Sequence, residues 1–496
     1  MKKIYKLLVF SILFSSSIAA QRTNIFHSRD FWKTNPSIQI IDKKIVEGND
    51  IAALNKNAFD AVCYALLEKV APKTIQYLVS KQGNGVNKLT HDGRTYIFWA
   101  AYRDNLEMMR FFLENGANMN IVDSHGYSLL NYAAKTGQLN PKLYNFCIEN
   151  GSDPVKEKNH DGANALLLIA PFVKDISLIN YFTSKGIDMK TTDNNGNGLF
   201  NYAAKAGNIQ LMEYLLKQGL PYKKLTKKGE NAMIFASRGM RNNANTLSSF
   251  KYLERLGISP NVVTKKGITP LHAISYRGKD LNIYDYFLSK GVDVNQKDDN
   301  GNTPFLNAAH MNDLSIVKLL SRQVIDINLK NNMGHSALAN AVNKNSVNVI
   351  NYLLEKKANI HTIDKDGNTL SYYLINNFDE NKSDAFETKL KILEKNGLVF
   401  NQLQNSGNTL LHIATKKNNL PLLKRLASFK IDVNTINKEG LSALQIAVLG
   451  AKDVKIMKYL MQIGADKNIK TDFDESIFDL ASENELLKKY NINFLK

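Results

Sequence analysis

The chain lacks most of what usually carries chemistry or covalent bracing. Its 496 residues include only two cysteines, Cys63 and Cys147. That is too few for a disulfide framework, although an oxidising compartment would permit the one pair. Beyond residue 20 no run approaches the ~18 apolar residues of a membrane span, so no stable span is expected. No Gly-x-Ser-x-Gly elbow, no His-Glu-x-x-His pair and no Gly-x-x-x-x-Gly-Lys-Ser/Thr loop occurs. Gly83-Asn84-Gly85 and Gly196-Asn197-Gly198 lack the third glycine of a dinucleotide loop and read as turns. The common hydrolase, zinc-protease and nucleotide-binding classes are thereby excluded, and the chain reads as a non-enzyme with no cofactor and no metal. Long disordered tracts and a collagen-like period are missing too. With 44% hydrophobic and 22% charged residues, the chain should fold throughout.

Acidic residues are outnumbered, 46 against 64 basic, for a formal charge of +18. Two explanations stand side by side. Such an excess favours an acidic partner; equally, a chain in which Lys far outnumbers Arg, and Asn and Ile abound, shows the composition of a biased genome. The N-terminus has the order of a secretory leader: basic Met1 to Lys6, apolar Leu7 to Phe14, then small residues to Ala20. Cleavage after Ala19 or Ala20 is expected, leaving an exported protein, periplasmic or secreted, that carries about +15 once Lys2, Lys3 and Lys6 are gone.

The length exceeds what one globular core supports and calls for several domains or a repeat array. One phrase recurs: Gly267-Ile268-Thr269-Pro270-Leu271-His272-Ala273, Gly301-Asn302-Thr303-Pro304-Phe305, and Gly407-Asn408-Thr409-Leu410-Leu411-His412-Ile413-Ala414. Its glycines stand at 93, 126, 162, 196, 229, 267, 301, 334, 367, 407 and 440, at successive differences of 33, 36, 34, 33, 38, 34, 33, 33, 40 and 33. Behind each copy comes an apolar helical pattern closed by another glycine, as in Leu106 to Gly116 and Val454 to Gly464. Each unit therefore predicts a finger, a short inner helix, a turn and a longer outer helix. Thr caps the inner helix, Pro fits its first turn, and an Ala-Ala pair lets neighbouring inner helices approach closely.

Phrase and period resemble the ankyrin signature. The resemblance implies an all-α solenoid with short β-hairpin fingers, of about eleven to twelve repeats plus terminal caps. Its expected layout is a leader at 1–20, a helical lead-in at 21–56 with a helix over Ser37 to Leu54, and an array at 57–496. Within the array the first unit (57–89) is degenerate, with helices over Phe59 to Leu67 and Thr74 to Ser80, and 471–496 forms a C-terminal cap with Asp474 in the glycine slot. Cys63 and Cys147 then lie more than two repeats apart, beyond the ~7 Å Cα separation of a disulfide, and read as small buried apolar residues. Two insertions, near Arg241 and near Asp379, fall between inner and outer helix; each is either tolerated drift or a second contact site.

The resemblance also implies protein recognition on a groove lined by finger tips and by the two inner-helix positions after the Ala-Ala pair. In register these are Tyr102-Arg103, Lys135-Thr136, Lys205-Ala206, Tyr276-Arg277, His310-Met311, Asn343-Lys344 and Lys416-Lys417, with no carboxylate among them. Tyr and Arg are the residue types that dominate interface energetics. The groove is expected to take an acidic or carboxylate-rich protein partner, against the alternative that Lys merely fills exposed positions. On the fingers, His91, Arg94, His125, Tyr127 and His160 are placed to contribute. The three histidines, beside Asp92, Asp123 and Asp161, form a row that would suit a divalent metal or a pH response, but His and Asp are also ordinary turn residues. His272 and His412 are expected to tie down finger backbone. Nucleic acid is not expected, because aromatic and basic residues interleave too sparsely. The expectation is a monomeric scaffold or accessory protein of the cell envelope; the alternative is a secreted effector that binds a host or competitor protein.

Overall fold

A computed structural model describes residues 24–241 and 244–496. The leader at 1–20, and Asn242 and Asn243 of the first insertion, lie outside the described residues. The chain forms two compact units, one running to Tyr202 and the other Ala203–Lys496. Each is a stack of short helix pairs.

Within a pair, the inner helix is buried nearly all round and carries small residues where its neighbours press closest: Ala100 and Ala101, Ala133 and Ala134, Ala308 and Ala309 are all fully buried. The outer helix buries one stripe at helical spacing, as Met108, Met109 and Phe112 do on Leu106–Glu114, and Val349, Ile350 and Leu353 on Val347–Glu355. Cys63 and Cys147 are buried free thiols, which burial pushes well up in pKa.

The fingers close as turns, where the sequence predicts β-hairpins. Among the described residues there is no strand, only three isolated bridges, such as Lys330 with Ser336. The cause is a side chain three positions before the glycine. Asp298 N–H donates to Asn302 C=O at 2.9 Å, and Asp298 Oδ1 accepts Asn302 N–H at 2.8 Å. Asp123, Asp193, Asn331, Asp364 and Asn437 close the same loop, so one side chain supplies what a second rung of ladder would.

Fingers are then stitched to one another by backbone. Ser124 N–H donates to Asp92 C=O (2.8 Å) and Asn194 N–H to Asp161 C=O (2.8 Å) in the first unit; Asn332 N–H donates to Asn300 C=O (2.9 Å) and Lys438 N–H to Ser406 C=O (2.9 Å) in the second. This close approach explains the glycine ruler. Gly301 has φ +74°, and a Cβ there would meet Asn332 Oδ1 at 2.5 Å and Asn332 N at 2.8 Å. The same left-handed slot continues past the glycines at both ends, as Ala58 (φ +57°) and Asp474 (φ +63°). Where the interval is 40, the stitch changes: Asn405 N–H reaches the Asn368 side chain at 3.1 Å, and nothing crowds Gly367.

The ends cap each stack. The lead-in helix is Ile38–Val46, shorter than the Ser37 to Leu54 expected, because Gly48 turns the chain at φ +92°. Phe26, Trp32 and Ile41 of the lead-in are fully buried, and Trp32 Nε1 donates to Phe26 C=O at 2.9 Å. The degenerate first pair is Ala61–Leu67 and Pro72–Val79. At the other end Ile477–Glu483 is followed by short turns that bury Leu487 and Leu495. The insertion at 376–384 becomes a connection and the start of a long outer helix, Ser383–Lys395. No helix among the described residues is long and apolar enough to cross a membrane.

Candidate binding surface

In the first unit the inner helix Tyr96–Tyr102 ends on a phenol ring that is 38% exposed, with Arg103 as its C-cap. Arg103 Nε is buried and has no acceptor among the described residues. Lys135 ends the next inner helix, Leu129–Lys135, exposed. Beneath them lies an aromatic layer: Trp99, Tyr102 and Tyr132 have ring centroids 6.3 to 6.5 Å apart. Burial pushes the Tyr132 phenol up, and Arg94 pulls it back.

The finger residues of this unit divide. Arg94 is buried; it donates to Asp123 Oδ2 through Nε (2.8 Å) and NH2 (2.7 Å), meets Asp92 Oδ2 at 3.1 Å, and lies 4.5 Å from the Tyr132 ring centroid. Its work is internal. His91 Nε2 and His125 Nε2 flank the same Asp92 Oδ2 at 3.5 and 3.4 Å, while His91 also pairs through Nδ1 with Asn57 C=O at 2.9 Å. His160 is exposed and packs over Gly126, and Tyr127 is half-buried, its phenol raised by burial. So the structure draws two of the three histidines to one carboxylate. No group of three or more His, Cys, Asp or Glu among the described residues is placed to hold a metal ion.

In the second unit Lys205 is half-buried. Tyr276, 41% exposed, packs edge-on to His310 with centroids 6.2 Å apart, and Arg277 beside it is exposed. Burial first, then Lys344 and His335, holds the His310 imidazole below its ordinary pKa. Lys344 Nζ donates to Asn377 Oδ1 (2.8 Å) and Lys417 Nζ to Asn376 C=O (3.0 Å). Lys416 is exposed and has no partner among the described residues. His272 and His412 are buried at the starts of their helices: Nδ1 accepts the N–H of Thr269 or Thr409 (3.1 and 3.2 Å), and Nε2 lies 3.1 Å from C=O of Asn302 or Leu441 in the next finger.

Several residues at this surface were not among the sequence candidates. Lys389, on the outer helix Ser383–Lys395, donates to Val342 C=O at 3.0 Å, and burial with Lys344 nearby lowers its pKa. Tyr372 and Asn376 join Lys416 and Lys417 around a cavity of about 340 Å³, and a second cavity of about 320 Å³ lies on the other side of Lys416. Both lie within the 40-residue interval. Asn376 stands nine residues after Gly367, as Lys416 does after Gly407, so it holds the same register position though it was not among the sequence candidates, while Tyr372 stands earlier on the same inner helix.

The family model described as "Ankyrin repeats (3 copies)" matches residues 51–158, 240–331, 271–366 and 382–471. Among curated proteins, the chain is similar to the putative ankyrin repeat protein L371 of Acanthamoeba polyphaga mimivirus, 24% identical over 236 residues, which is 46% of this chain and 28% of that protein. It is similar to a putative ankyrin repeat protein of Rickettsia felis, 26% identical over 263 residues, 52% of this chain and 64% of that protein. It also resembles the phosphocholine transferase AnkX of Legionella pneumophila, 23% identical over 262 residues, 52% of this chain and 24% of that protein. In each case the chain spans less than two thirds of the relative. Among solved structures, the human ASB11 ankyrin repeat domain aligns over 44% of this chain and 95% of that domain, at 19% identity and a TM-score of 0.37.

Proposed function

The chain belongs to the ankyrin-repeat family, whose repeats are in general protein-interaction scaffolds, and on that premise we propose that it is an exported, non-catalytic scaffold. It captures an acidic partner protein on the inner-helix faces of its units. One observation carries this. Arg103, Lys135, Arg277, Lys344, Lys416 and Lys417 enter no ion pair among the described residues, whereas Arg94, Arg238 and Arg425 are each committed to a carboxylate. Five of the six are exposed and Arg103 is half-buried, and Lys344 and Lys417 reach only neutral acceptors, so the fold matches none of these charges with a carboxylate. Set beside Tyr102 and Tyr276, they supply the residue types that anchor interfaces.

The test is affinity capture from a cell-envelope extract by the mature protein. Charge reversal of Arg103 and Arg277 together is expected to abolish enrichment of the captured partner, with only a small drop in the thermal midpoint from the acid placed at the helix C-terminus at Arg103. Unchanged capture contradicts the proposal. Export is supported by the basic, apolar and small-residue order of residues 1–20. Mass spectrometry of the native protein is expected to find its N-terminus at Ala20 or Gln21; an intact Met1 terminus in the cytoplasmic fraction contradicts it.

A further inference from the structure

The two cavities flanking Lys416 differ in chemistry, and both lie within the second unit. The first, about 340 Å³, is walled by polar side chains of the inner helices Leu370–Asn376 and Leu410–Lys416 and of the finger between them. Three of its donors are uncommitted: the Tyr372 hydroxyl, the Asn376 amide and the Lys416 ammonium have no hydrogen-bond partner among the described residues. The second, about 320 Å³, lies toward the next inner helix, Ala443–Leu449; Leu441, Ile446, Ala447, Leu449 and Ile456 form an aliphatic side of it, and Asn418, Glu439 and Asp453 are among its other lining residues. Leu449 is 54% exposed there. Thr415 lines this second cavity too, and its hydroxyl is buried without a partner, a costly state unless something meets it.

Charge sets the occupant of the first cavity. Lys416 and Lys417 face it with Glu439 as the one carboxylate among its lining residues. Two ammonium groups and two neutral donors against one acid suit a carboxylate. The aliphatic side of the second cavity suits an aliphatic side chain, and its two carboxylates, Glu439 and Asp453, disfavour an acid there. We propose that this pair of cavities is a two-point docking site for a partner protein's peptide segment, with an acidic side chain seated beside Tyr372 and Lys416 and an aliphatic side chain, a few residues away, seated beside Leu449. This rests on the scaffold role proposed above and names the chemistry of the partner for one stretch of one unit. Glu439 stands on the walls of both cavities and opposes the acidic group. It therefore sets how strongly the site prefers the anion.

The experiment uses the full mature chain and an array of fluorescein-labelled Gly-Ser peptides, each carrying one Glu and one Leu at varied spacing, read by fluorescence anisotropy. At least one spacing is expected to bind saturably. Replacing the peptide's Glu by Gln, or making Lys416→Glu in the protein, should weaken it about tenfold. Glu439→Gln should tighten it about threefold. A gain cannot come from a misfolded variant. Lys142→Glu, on the outer helix Pro141–Glu149 of the other unit and outside the groove, should leave it unchanged. The assignment is overturned if no spacing binds, if binding needs the Leu alone, or if Lys416→Glu and Glu439→Gln leave it unmoved. If partner capture still depends on Arg103 and Arg277 while the array is silent, only this assignment falls; if capture is also indifferent, the scaffold role falls with it.

Discussion

His272 and His412 show how one side chain can serve two repeats. Each imidazole accepts a helix-capping N–H on Nδ1 and uses Nε2 on a carbonyl of the following finger. Only the neutral ring with its proton on Nε2 satisfies both. Burial accordingly depresses both imidazoles from the ordinary 6.5. The folded chain then binds fewer protons than the unfolded one below that value, so the stability they contribute is whole above about pH 6.5 and falls as the pH drops through it. The urea midpoint is expected to fall between pH 7.5 and pH 5.5, and the His272→Gln, His412→Gln double variant should show a smaller fall. Gln suits the slot, as Gln445 shows: its Oε1 accepts Ser442 N–H at 2.7 Å. Arg94 is the opposite kind of residue, a charge spent inside. Arg94→Ala strands the buried Asp123 carboxylate and should cost about 3 kcal/mol in denaturant unfolding. Arg94→Lys should recover only part, because it lacks the fork that gives Asp123 two bonds.

At the level of the repeat, asparagine does much of the joining. Asn312 Nδ2 donates to Ser275 C=O (2.7 Å) and Gly278 C=O (3.0 Å), across the junction from its own helix pair to the one before. Asn345 repeats this on Ala309 C=O (3.0 Å), and Asn484 on Val448 C=O (2.9 Å). The abundance of Asn, which composition alone ascribes equally well to genome bias, thus has structural employment. Asn312→Ala should cost about 2 kcal/mol and speed amide exchange in Pro270–Ser275 and Pro304–Met311 ahead of the other inner helices. The glycine ruler made the repeats and most helix pairs legible, because the left-handed slot and the close finger approach admit little else. The fingers were less legible. Leu89 out and Thr90 in, or Ile436 out and Asn437 in, alternate with the period of a strand, yet side-chain closure of the loop leaves at most one bridge. Ala58 keeps the slot without its glycine, so the first finger carried no mark in the sequence.

Across the molecule, stability and the proposed recognition draw on different residues. Helix stripes, asparagine clasps and buried pairs such as Asp60 with Lys88 (2.8 Å) hold the stacks, while the unpaired cations stand on the inner-helix faces. Register put Tyr102, Arg103, Tyr276 and Arg277 at the C-terminal ends of inner helices, where the structure has them, but the finger reading placed Arg94 among the surface candidates when two acids and an aromatic layer hold it inside. Asn376 holds the register position of Lys416 one unit earlier and was legible though not singled out, whereas Tyr372 lies outside the two register positions and is seen only as a wall of the cavity. Since the proposed contacts are exposed charges, partner capture should weaken steadily as ionic strength rises. The most direct measurement is hydrogen exchange by mass spectrometry on the full chain, alone and loaded with its captured partner. The expected result is slowed exchange in peptides spanning Tyr102–Arg103, Tyr276–Arg277 and Lys416–Lys417, with the outer helices unchanged. Protection confined to outer helices such as Leu106–Glu114 and Val347–Glu355 would contradict the account.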